Sequence, residues 1–181
     1  DARIARVSPA ARRVLEAAAT LGDLATVERV ARMLELGADD LVAALGELSE
    51  ALLVDDAAGG VAPRHELVAA RVTERTPGPV RRVLHRRAAV ALGAEAGEDA
   101  TAEVLLAAAE HWRAAGEVAR AVDLTVSAAD VVARLGAIPS VIEMLETALA
   151  LDPDGANRSH VIRRLSRAVA LDGRWRRAAE L

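Results

Sequence analysis

The chain of 181 residues has no cysteine, no lysine, no tyrosine and no phenylalanine. Without cysteine there is no disulfide framework, no thiolate metal site and no cysteine nucleophile. Without lysine the chain holds no P-loop, because that motif needs an ammonium reaching the β- and γ-phosphates. Schiff-base chemistry is excluded for the same reason. Two tryptophans are the only aromatic residues besides histidine, so there is no platform for stacking nucleic-acid bases. No apolar run approaches the roughly 20 residues of a membrane span, and no membrane partner is expected. The formal net charge of -4 gives no general attraction to nucleic acid or anionic lipid. The chain opens on Asp1 with no signal-like stretch. It is therefore expected to be a piece of a larger cytoplasmic protein.

Apolar residues make up 52% of the chain, chiefly Ala, Leu and Val, and all 23 basic residues are Arg. Small aliphatic residues of high helix propensity favour close-packed helices, so the expected fold class is mostly all-α. Ser8-Pro9 starts a helix as N-cap and first helical residue. Gly22 ends it, and a second helix carries Val27, Val30 and Leu34. Asp39 is expected to cap a third, with Leu41, Leu45, Leu48 and Leu52 spaced four, three and four apart. Leu53 to Val61 reads as two short strands around a turn at Gly59-Gly60. Three helices and then a hairpin is the order of a winged helix.

After His65 a fourth helix is expected to run to about Thr76, where Pro77-Gly78-Pro79 breaks it before a fifth. Residues 1–92 are assigned to the winged-helix domain with its following helices, and 93–101 to a linker. Residues 102–181 read as antiparallel helices split by Gly116, Gly136, Asp152-Pro153-Asp154-Gly155 and Gly173, the pattern of a tetratricopeptide-like array. The last helix, from Arg174, is expected to be truncated at Leu181.

Catalytic signals are weak. His65-Glu66-Leu67-Val68-Ala69 misses the zinc-protease pattern because Ala69 replaces its second His. The six serines lack a nucleophile-elbow context and read as caps or helix-surface hydroxyls. A DNA-reading third helix needs basic or amide side chains. Here that helix carries Asp39, Asp40, Glu47 and Glu50 with no basic residue, so direct DNA binding is not expected. Two arginine groups, Arg71 to Arg87 and Arg163 to Arg177, read first as solvated helix faces and second as interdomain or phosphate-facing surfaces. Trp112 reads as packing between repeat helices, His85 and His111 as partly buried, and His160 as a first-turn residue with no evident role.

The run Leu52-Leu53-Val54-Asp55, then Arg64-His65-Glu66-Leu67-Val68, then Arg82-Val83-Leu84-His85-Arg86-Arg87, resembles STAND-class signalling ATPases, in particular the large ATP-binding LuxR-type transcriptional regulators. His111-Trp112-Arg113-Ala114-Ala115-Gly116 and Glu143 to Pro153 are similar to the tetratricopeptide-like region of those proteins. The resemblance implies a non-catalytic regulatory and signal-sensing fragment. Its partners would be its own upstream ATP- or ADP-binding domain and an unknown inducer or protein on the repeats. It also implies that His65, with Arg64 beside it, lies where a nucleotide phosphate is contacted in the parent protein. Pro63 and Thr73 depart from that family's pattern, which has aromatic residues there. The alternatives are a stand-alone helical-repeat interaction scaffold and, less favoured, a DNA-binding winged helix.

Overall fold

The computed structural model describes residues 2–57, 60–94 and 100–181. Gly59 of the expected turn and 95–99 of the expected linker lie outside the described residues. The chain divides into two compact units, Asp1–Ala91 and Leu92–Leu181. Among the described residues helices predominate, with one two-stranded antiparallel sheet.

Unit 1 begins with α1 (Ala2–Arg6), α2 (Pro9–Leu21) and a single 3-10 turn at Gly22–Leu24. It continues with α3 (Val27–Leu34), α4 (Ala38–Glu50), β1 (Val54–Ala57), β2 (Gly60–Pro63) and α5 (Glu66–Arg75), and α6 (Gly78–Gly93) runs across the division. Helix α2 is central. It packs on α3, α4, α5 and β2, and its Val14, Leu15, Ala17 and Ala18 are fully buried. Small residues at two of those positions let neighbouring backbones approach closely, while Leu15, Leu48 and Met33 fill the space between the helices. Ser8 caps α2 through its hydroxyl, which accepts from the Ala11 N–H at 3.1 Å, and Pro9 stands in the first turn.

Helix α4 corrects one expectation. Its N-cap is Gly37, not Asp39; Asp39 and Asp40 occupy its first turn. There they act on the positive end of the helix dipole instead of making a side-chain cap. The hairpin pairs Val54 with Pro63 and Asp55 with Ala62. It is joined by a further backbone bridge that the sequence pattern does not announce, Thr26 opposite Gly60, with the Val61 N–H donating to the Ala25 carbonyl at 2.8 Å.

Unit 2 holds α7 (Ala102–Ala114), α8 (Val118–Arg134), α9 (Ile138–Leu151), α10 (Arg158–Leu171) and α11 (Trp175–Glu180). Each packs on the next in chain order. Three of the four connections share one design. After α7, α8 and α10 a three-residue loop carries a central glycine in the left-handed region, Gly116, Gly136 and Gly173, with φ of 86°, 78° and 81°. Only glycine enters that region without steric cost, and it ends each helix while freeing the chain to reverse. The core of unit 2 centres on Leu145 and Leu165, with Val126, Val161 and Val169 around them. Trp112 is buried, and the Arg120 guanidinium lies 4.4 Å from its ring centroid.

Candidate functional site

His65 is the N-cap residue of α5, in extended conformation, and its side chain makes no capping bond. The His65 carbonyl accepts from the Val68 N–H at 2.8 Å, so the backbone starts the helix unaided. The imidazole is exposed. Arg64 is held differently. Its N–H donates to the Leu53 carbonyl at 2.9 Å, and its guanidinium pairs with Asp55 on β1 at 3.2 Å. The hairpin exit thus brings Arg64 and Asp55 together and leaves His65 facing solvent. Pro63 sits in the strand pairing, and Thr73 is exposed with its hydroxyl donating to the Ala69 carbonyl.

The two arginine groups separate into unlike environments. In the first, Arg71 pairs with Glu74 at 2.9 Å, while Arg75, Arg81, Arg82 and Arg87 are exposed. In the second, Arg174 pairs with Asp172 and Arg177 with Glu146. Arg163, Arg164 and Arg167 instead enter a groove of about 700 Å³ walled by α8 and α10 and floored by α9.

This groove lies wholly within unit 2. The α10 wall is a single stripe, His160, Arg163, Arg167 and Leu171, at spacings of three, four and four that put them on one helical face. The α8 wall contributes Asp130, Ala133 and Arg134, and the α9 floor Ile138, Val141 and Leu145. The walls are tied by two side-chain bridges. Arg164 donates to Asp130, and the Asn157 amide donates to Asp123 at 2.6 Å. Asp130 thereby neutralises Arg164. Arg134, Arg163 and Arg167 have no carboxylate partner among the described residues. A second groove, of about 490 Å³ between α7 and α9, has the opposite balance, with Glu110 and Glu143 against Arg113, which Glu110 already pairs.

The first groove, which His160 helps to line, is not legible in the sequence. One signal was present: the three-four-four stripe on α10 mixes arginine with an exposed leucine. What no local pattern reveals is that Asp130 meets an arginine 34 residues further on.

Among the described residues no three His, Cys, Asp or Glu side chains gather into a metal-holding group. Also among them, no helix is long and apolar enough to cross a membrane. Comparison with protein-family models, with curated proteins and with solved structures finds no match to this chain.

Proposed function

We propose that the chain is a non-catalytic regulatory and signal-sensing region of an ATP-dependent transcriptional regulator of the STAND type. In this reading unit 1 is a winged-helix module that contacts a nucleotide-binding module of the same protein, and unit 2 is a tetratricopeptide-like sensor. The observation that carries the reading is the groove of α8, α9 and α10, which has an apolar floor and charged walls. A signal bound there acts by favouring one of two states of the regulator, through its differential affinity for them.

Support in unit 1 comes from the order of three helices and a hairpin, and from the exposed imidazole of His65 at the start of α5. The acidic first turn of α4, with Asp39 and Asp40, supports a protein-facing role over a DNA-facing one. If adenine nucleotide is held by an adjoining module, the exposed His65 would donate to a phosphate oxygen. Arg64, engaged by Asp55, supports the hairpin exit.

The test uses the longer regulator that this reading requires. Its sequence ahead of Asp1 should contain Gly-x-x-x-x-Gly-Lys-Ser/Thr, and His65→Ala should weaken ADP binding by about tenfold, the scale of one charge-assisted contact. An upstream sequence lacking that motif, or unchanged ADP affinity and activation, would sink the nucleotide-coupled reading. The same groove also favours a second reading, in which the chain is an interaction scaffold with no nucleotide link.

A further inference from the structure

We infer that the α8–α10 groove docks an acidic amphipathic helix of a partner protein. The inference rests on the recognition role proposed for unit 2 and specifies what is recognised. Its starting point is a local reversal of charge: the chain carries a net charge of -4, yet this groove presents four arginines against one aspartate. Screening confines such a field to about 8 Å at physiological ionic strength, so the groove's own charges govern what settles in it.

The shape favours a rod over a compact molecule. The groove opens to solvent along two helical walls, and Leu171 at its edge is 65% exposed. A small-molecule site, by contrast, encloses most of its ligand. Ala133, Ile138 and Leu171 give the groove apolar lining for one face of a helix. Arg163 and Arg167 stand one turn apart on the α10 wall, about 6 Å along its axis. Carboxylates at i and i+4 on an incoming helix repeat at the same interval. Arg134 faces them from the α8 wall. Guanidinium forks take carboxylates in two-point contacts, and these three are not already committed to a carboxylate among the described residues. The groove between α7 and α9, with its two glutamates, lacks this complementarity and is an internal control.

The experiment titrates the full chain into a fluorescein-labelled peptide of 14 residues, the length of α10, and follows anisotropy. The peptide carries Leu and Glu at helical spacing. Controls are a scrambled peptide of the same composition and one with Arg in place of Glu. The acidic amphipathic peptide should bind saturably and the two controls weakly. Added salt should weaken binding, and R163E/R167E should weaken it by about tenfold or more. Leu171→Asp should also weaken it. The equal charge change R81E/R82E on α6 should leave it unaltered. Circular dichroism establishes that each variant is folded, and R163A serves if the double reversal is not.

Equal binding of the scrambled peptide, an equal loss in R81E/R82E, or no binding at all would overturn the proposal. So would saturable binding of decanoate, a small anionic amphiphile, without peptide binding. Self-association of the chain that R163E/R167E abolishes would replace the partner helix with a second copy. Failure of the nucleotide test leaves these titrations standing, whereas failure here with intact nucleotide coupling sinks only the acidic-helix assignment.

Discussion

The Ser8 hydroxyl works in two directions at once. It accepts from the Ala11 N–H to cap α2 and donates to Glu47 of α4, while the Ser8 N–H also donates to the same carboxylate, both at 2.6 Å. A single residue therefore starts one helix and ties it to another. Ser8→Ala should lower stability by about 1 kcal/mol, as for other N-cap losses, measurable by urea denaturation. The Ser8 hydroxyl and then its N–H hold the Glu47 carboxyl below its ordinary value of 4.5. A carboxyl lowered in the folded state binds its proton later than in the unfolded chain. Its stabilisation is therefore complete above the ordinary value and is lost as pH falls through the lowered one. In Glu47→Gln the acid-induced loss of stability should be shallower below pH 4.5. An unchanged pH profile would show that the contact contributes nothing. Glu16, half-buried on α2, is shifted upward by desolvation despite Arg12 and Arg13 nearby. Its contribution has the opposite sign, favouring the fold as pH falls, and Glu16→Gln separates the two effects.

At the scale of elements, the helix ends were the most legible part of the sequence. Ser8-Pro9 announced α2, and Gly116, Gly136 and Gly173 announced the reversals after α7, α8 and α10. Each signal is local: a cap bond spans three residues, and a left-handed φ is a property of one. At Gly136 an added Cβ meets nothing within 4 Å, so the demand there is purely conformational. Gly136→Ala should destabilise by about 1 kcal/mol, the left-handed penalty less the entropy removed from the unfolded chain, seen as a lower melting temperature. A neutral outcome would mean the α8–α9 loop can adopt another conformation. Elements defined by distant partners were not legible. The bridge between Thr26 and Gly60 is one residue long and has no period to detect. Asp39 was misplaced as a cap because aspartate suits both the cap and the first turn, and only the backbone of Gly37 distinguishes them.

At the scale of the whole molecule, each unit has a core of its own, built around Leu15 in the first and Leu145 in the second. Leu15→Ala or Leu145→Ala should each remove about 2–5 kcal/mol, the cost of lost burial plus a residual cavity. Amide hydrogen exchange should then accelerate most in the unit that bears the substitution. Equal acceleration in both would show a single cooperative core.

What the sequence determined by itself was set by inventory and by near neighbours. The absence of lysine removed a P-loop from this chain, its small aliphatic residues gave helices, and its serine, proline and glycine positions ended them. Only the tertiary structure decided which charges remain open. Six arginines between Arg163 and Arg177 read alike in sequence, but Arg164, Arg174 and Arg177 are neutralised by Asp130, Asp172 and Glu146, whereas Arg163 and Arg167 are left lining a groove. The reason is physical. An ion pair forms where the fold sets two charges within about 4 Å, and two of these three pairs join residues more than 30 positions apart.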